Sequence, residues 1–187
     1  MTINRKDFIK KTCLTGICVC GINSVTAGQS VSGTEAAPGM MADNPNALQQ
    51  AWVSALLDGI DNILKEDELR KMLKPCALTH YKNLGMDEVL KGYIGDIDKW
   101  INFLVTEWNW KVEYNRDAGQ VICDENKNYC VCPMVNKTTG IASSSICYCS
   151  EGFIEKMFSV ITGRDVKGRV ESSILRGDKS CRYIVYL

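Results

Sequence analysis

Apolar side chains recur at helical spacing through residues 47–64, with Leu48, Trp52, Ala55, Leu56, Ile60, Ile63 and Leu64 on one stripe. This spacing predicts a helix that buries that face. A second helical stretch, residues 67–84, contains Pro75, which should kink or split it. Gly85 ends it, and residues 86–93 form a short third helix with an acidic first turn. Residues 96–110 give a fourth, with Ile97, Trp100, Ile101, Leu104 and Trp108 along one side. The period then shortens. Residues 111–114, 121–124 and 129–135 are short and β-rich, separated by turn residues, and predict an antiparallel meander. Residues 136–145 read as a polar loop. Residues 146–162 return to helical spacing and end on Gly163 as a C-cap. Two strands close the chain, over 166–175 and 181–187, turning at residues 177–180. The order predicts an α+β fold: N-terminal helices packed on an antiparallel sheet, with a further helix before the last two strands.

The pattern fails ahead of residue 47. Residues 28–46 are rich in Gly, Ser, Ala and Pro without periodicity, which predicts a flexible linker. Residues 1–27 have the layout of a bacterial-type signal peptide. A basic run (residues 4–11) precedes a short apolar stretch (residues 12–25), and small residues stand at the end, up to Ala27. Arg5-Lys6-Asp7-Phe8-Ile9-Lys10 is close to a twin-arginine export signal with lysine as its second basic residue; general secretion and an amphipathic first helix are the alternatives. The expectation is export to the periplasm or the outside, leaving one domain over residues 47–187. No run reaches the ~18 apolar residues of a membrane-spanning helix. Basic and acidic residues balance at 22 each, and removing residues 1–27 leaves 18 basic against 21 acidic groups. A mildly acidic domain is not a nucleic-acid binder.

Candidate chemistry lies with ten cysteines, three of which leave with the signal. The remaining seven are Cys76, Cys123, Cys130, Cys132, Cys147, Cys149 and Cys181, an odd number, so at least one stays outside any intramolecular disulfide. Cys130 and Cys132, then Cys147 and Cys149, form two Cys-x-Cys pairs. Paired thiolates from adjacent elements suit zinc or an iron–sulfur cluster. On a strand, however, such cysteines share a face about 6–7 Å apart, and export favours disulfides. Disulfides or inert buried thiols, a metal centre, and redox or nucleophilic use all stay open. Cys76 and His80, four apart on a helix, can share a face. They form a candidate catalytic pair, the imidazole lowering the thiol pKa; a packed cysteine with a hydrogen-bonded bystander histidine is the alternative. Glu151 and Glu155 read as a solvated stripe beside Lys156. Trp100, Phe103, Trp108 and Trp110 read as core first and an aromatic ligand pocket second.

The run from Cys147 to the C-terminus, CYCSEGFIEKMFSVITGRDVKGRVESSILRGDKSCRYIVYL, resembles the end of the vinyl reductase-like, hydrocarbon-binding domains and of the related L-2-amino-thiazoline-4-carboxylic acid hydrolase-like proteins. The resemblance covers about 40 residues well. It implies a ligand cavity between helices and sheet, and in some relatives a zinc held by cysteines and a glutamate. Carried over, Cys147 or Cys149 matches the upstream ligand, Glu171 the glutamate and Cys181 the last cysteine. The remaining ligand position holds Ile174, so a metal would need Cys130, Cys132 or Cys76 as its fourth ligand.

Two functions follow as expectations. The first is an exported small-molecule-binding domain with a structural or metal-binding cysteine cluster. The second is a hydrolase that opens a small cyclic amidine or thioether ring at a C–N bond, with Cys76 as nucleophile or ligand and His80 relaying the proton. Export has a direct consequence. The protein recovered outside the cytoplasm should have lost residues 1–27, and its intact mass should correspond to a start near Gly28; retention of Met1 would exclude a cleaved signal.

Overall fold

The computed structural model describes residues 45–136 and 143–187. The expected signal peptide and most of the expected linker (residues 1–44), together with part of the expected polar loop (137–142), lie outside the described residues. Among the described residues there are six α-helices and four strands: α1 (Ala47–Asp61), α2 (Glu66–Leu73), α3 (Ala77–Asn83), α4 (Met86–Leu90), α5 (Ile97–Thr106), β1 (Lys111–Asn115), β2 (Gln120–Asp124), α6 (Tyr148–Thr162), β3 (Lys167–Ser172) and β4 (Arg182–Tyr186). Short 3-10 turns cover Lys74–Cys76, Ser144–Cys147 and Ile174–Arg176. The break between α2 and α3 falls on Pro75, which cannot donate the hydrogen bond a continuous helix needs. Gly163 ends α6 at φ 66°, the left-handed conformation a glycine C-cap adopts without penalty.

The sheet is antiparallel in the order β1-β2-β4-β3. Val121 and Cys123 of β2, Gly168 and Val170 of β3, and Tyr183 and Val185 of β4 alternate onto the buried face. That face meets α6 through Ile154, Met157, Phe158 and Ile161. Beside it, Trp100 stacks on Phe103 at 5.2 Å between ring centroids, and Trp108 and Trp110 continue the aromatic cluster to Tyr183. The tryptophans are core, as their spacing implied.

The fold class is as expected, but three local readings are corrected. Residues 129–135 are not a strand. Both edges of β2 are occupied, by β1 and β4, so the segment cannot extend a meander from β2. It packs instead into a second apolar cluster with Leu57, Leu69, Leu73, Ile146 and Tyr148. The second correction concerns α1, whose apolar stripe is divided, Ile60 and Leu64 packing on the second cluster and the rest turning outward. Leu48 (63% exposed), Trp52 (65%), Leu56 (44%) and Ile63 (79%) face solvent, while Gln50, Ser54 and Leu57 are buried.

Third, Glu151 and Glu155 are not a solvated stripe. Glu151 is fully buried. Its carboxylate accepts from Arg70 Nε at 3.1 and 3.2 Å and from the Val170 backbone N–H at 3.0 Å, and Lys74 Nζ lies 3.3 Å away. Glu155 accepts from Lys74 Nζ at 2.7 Å and from the Gly168 N–H at 2.9 Å. One face of α6 therefore ties α2 to β3 through buried charge. Two glycines permit the approach. A β-carbon on Gly152 would lie 2.3 Å from the Lys74 carbonyl oxygen, and one on Gly168 would lie 2.7 Å from the Ile154 side chain.

The Gly152 contact is against backbone, which cannot move aside as a side chain does. Gly152→Ala should cost about 3 kcal/mol, the upper part of the range for overpacking, and lower the thermal midpoint by roughly 5–10 °C. Calorimetry of the two proteins measures this, and an unchanged midpoint would refute the close packing of α6 on the Lys74–Cys76 turn.

Candidate functional site

Two regions of the described surface carry chemistry: a cysteine-rich pole at the start of α6, and a groove along its flank. The pole forms because the chain passes it three times. The residues after β2 bring Cys130 and Cys132, the turn into α6 brings Cys147 and Cys149, and the turn into β4 brings Cys181. Cys130, Cys132 and Cys147 pack against the second apolar cluster. None of the seven described cysteines forms a disulfide. Burial pushes the thiols of Cys132 and Cys123 up to about 12 and those of Cys149 and Cys181 to about 11. Cys147 is raised for the same reason, although the Ser173 hydroxyl 3.2 Å away favours its thiolate. Each thiolate would also disfavour the next, since Cys130, Cys147 and Cys149 all oppose ionisation of Cys132. Reactive cysteines need the opposite environment, one that lowers the thiol pKa. At neutral pH these five are protonated and behave as small packing groups.

The zinc ligand set implied by the resemblance does not fit. Cys147 and Cys181 do come to the same pole, but Glu171 lies on the outer face of β3, exposed and 3.2 Å from Arg182 Nε. Period-two alternation puts it opposite Cys181, whose neighbour Tyr183 faces inward. Among the described residues no three of His, Cys, Asp and Glu are arranged to hold a metal ion.

The carboxylate that reaches the pole is Glu125. It is buried and accepts the Tyr183 hydroxyl at 2.7 Å. Burial raises its pKa against the pull of Tyr183 and Lys127. Its position in the polar run Asp124-Glu125-Asn126-Lys127-Asn128 reads as a turn, and nothing local marks it as buried. Arg70 and Lys74 were legible in principle. They stand four apart, as do Glu151 and Glu155, so two helices offer matched ladders of opposite charge.

Cys76 and His80 hold separate partners. Cys76, exposed at the start of α3, directs its thiol to the Met72 carbonyl oxygen at 3.8 Å. His80 stacks on Phe153 at 4.9 Å, and burial lowers its pKa. Cys76 lies near enough to Cys149 to oppose its ionisation.

The groove, about 450 Å³ and open to solvent, runs between the Lys74–Cys76 turn, α6 and the start of β3. Pro75, Gly152 and Val166 are among its lining residues, and Lys71, Lys74 and Lys156 bring ammonium groups to it. Its acids are largely neutralised, Glu155 by Lys74 and Asp165 by Lys167 at 3.0 Å. Lys156 lies 5.8 Å over the Tyr81 ring. The groove is therefore small, partly apolar at its base and positive at its rim.

The raised pKa of Glu125 makes the pole pH-dependent. A carboxyl whose folded pKa exceeds its unfolded value contributes stability below the unfolded value and loses it as pH rises through the folded one. Glu125→Gln, which keeps an acceptor for Tyr183, should thus gain stability relative to the parent as pH rises from about 4 to 8. Thermal unfolding across that range measures it, and a difference independent of pH would count against a raised Glu125.

Comparison with known proteins adds a family and a likeness. No curated protein matches the chain. Among solved structures it is similar to a trafficking protein particle complex subunit 3 from Naegleria fowleri covalently bound to palmitic acid, at 14% identity and a TM-score of 0.44, covering 75% of this chain and 93% of that one. A family profile described as "Family of unknown function (DUF6144)" matches residues 9–186.

Proposed function

The chain belongs to this family of unknown function, and we propose that it is an exported small-molecule-binding domain whose ligand is a small anion seated in the groove beside α6. The observation that carries the reading is the groove itself, with a partly apolar lining and an excess of lysine at the rim. Binding pockets combine these two features, apolar area for affinity and a few charged groups for orientation. The resemblance of residues 147–187 to hydrocarbon-binding domains supports a ligand held between helices and sheet, and the groove lies where α6 meets the start of β3. The leader-like residues 1–27 support export.

The same observations weigh against ring hydrolysis by Cys76 and His80. A thiolate–imidazolium pair needs contact, and each side chain has a different partner. The buried thiols of the pole are shifted away from nucleophilicity. No reaction step is assigned to the cysteines.

The test is a thermal-shift and calorimetric titration with small carboxylates and phosphate esters of graded apolar length. At least one class should raise the melting midpoint with saturation, and Lys71→Ala with Lys156→Ala should weaken its binding at least about tenfold, as losing hydrogen bonds to a charged group does. Equal binding by parent and double variant would remove the groove as the site.

A further inference from the structure

The turn Lys74–Cys76 and the start of α6 are in main-chain contact, and two cysteines flank that contact. A β-carbon on Gly152 would meet the Lys74 carbonyl oxygen at 2.3 Å, so no side chain separates the two backbones there. From this point the contacts advance along α3 and α6 together. The His80 ring stacks on Phe153 at 4.9 Å, and Tyr81 packs edge-on against Phe153 at 6.3 Å with Lys156 Nζ 5.8 Å over its ring. Cys76 stands four residues before His80, and Cys149 four residues before Phe153. With φ −62° and ψ −24°, Cys76 continues the helical path of α3 backwards. Residues four apart lie one above the other on a helix. One turn before the stacked rings, the two segments therefore bring Cys76 and Cys149 to the same seam. The electrostatics agree, for charge on Cys76 is the largest influence on the Cys149 thiol after burial itself.

We propose that Cys76 and Cys149 are a disulfide-forming pair that, once oxidised, clasps the Lys74–Cys76 turn to α6 beside the groove. A disulfide needs α-carbons within about 4.4–6.8 Å of each other, a range that calls for main-chain contact of the kind Gly152 permits. The neighbouring thiol of Cys147 is less well placed. It is two residues from Cys149, and side chains at that spacing on a helix do not face each other. Cys147 packs instead on the second apolar cluster with Cys130 and Cys132, its sulfur 3.2 Å from the Ser173 hydroxyl. Cys76 is the one exposed cysteine among the described residues, so an oxidant meets it first. Its 3.8 Å contact to the Met72 carbonyl oxygen is a weak bond, which rotation about χ1 gives up. With a low-molecular-weight disulfide as oxidant, the Cys76 thiolate attacks one sulfur, the S–S bond of the oxidant breaks, and a first thiolate leaves. Cys149 then gives its proton to water, attacks the Cys76 sulfur and displaces the second thiolate. Two protein S–H bonds become one S–S bond, and the oxidant takes up the two electrons and two protons as two free thiols. The product is a covalent tether and not a step of catalysis. Pro75 and Gly152 line the groove, so the tether fixes one of its walls.

The experiment is disulfide mapping of the full chain as cells produce it. The protein is reduced without denaturant, exposed to oxidised glutathione, alkylated, and cut with chymotrypsin, which cleaves after Tyr148 and so separates Cys147 from Cys149. A linked pair of peptides holding Cys76 and Cys149 is expected. The bond closes a long loop and should raise the melting midpoint by roughly 5–10 °C. Cys76→Ser should show neither the linked pair nor the rise. Cys149→Ser should stop at the first exchange and carry one glutathione on Cys76, whereas Cys147→Ser should still form the linked pair. A parent protein in which the pair is absent, forms only in denaturant, or gives way to a bond between Cys149 and Cys132 or Cys147 would overturn the proposal. So would a linked protein whose midpoint does not rise.

Discussion

Glu151 is the residue through which the layers of this protein are joined. A fully buried carboxylate is tolerable only when its charge and lone pairs are matched. Here the matching comes from three directions, with Arg70 and Lys74 from α2 and its following turn, and the Val170 N–H from β3. The charge holds α6 at one azimuth between the helices and the sheet. Gly152 and Gly168 follow from the same constraint, for the backbones must approach closely enough for those bonds to form. The groove beside α6 is a consequence too, since Lys74 both pairs with Glu151 and lines it.

The cysteine pole owes its character to position more than to composition. Thiols are close to neutral in cost when buried and protonated, and expensive when buried and ionised. Once residues 129–135 fold against Leu69, Leu73 and Tyr148 instead of joining the sheet, the sulfurs enter apolar surroundings and their pKa values rise. Glu125 is drawn into the same region by Tyr183 and shifts in the same direction. Cysteine spacing suggested a metal centre or disulfides, and the surroundings of Cys132, Cys147, Cys149 and Cys181 oppose the thiolate form.

Helix α1 presents the converse case. Its polar side is covered because Gln50 reaches the Pro133 carbonyl, and because Asp61, at its C-terminus, accepts from Ser143 at 2.5 Å and from Ser145 at 2.6 and 2.7 Å. These anchors fix the rotation of the helix about its axis and send Leu48, Trp52 and Leu56 outward.

Local rules were readable from the chain by itself. Periodicity located the described α-helices and the four strands of the sheet, Pro75 marked the break between α2 and α3, Gly163 marked the end of α6, and the bulk of Trp100 and Trp110 marked the core. Each depends on backbone sterics or on side-chain spacing, which neighbouring residues determine. Partners distant in sequence decided the rest. Residues 129–135 have strand composition but follow a strand whose two edges are already paired, Leu48, Trp52 and Leu56 of α1 have helical spacing but stay exposed among the described residues, and Glu171 has the residue type of a ligand but pairs with Arg182 on the outer face of β3. Glu151 and Glu125 look solvated in sequence because the groups that compensate their burial, Arg70 at a separation of 81 residues and Tyr183 at 58, are supplied by other elements. Periodicity specifies that a face exists; only the packed structure specifies what that face meets, because burial and charge compensation are properties of pairs of elements and not of one.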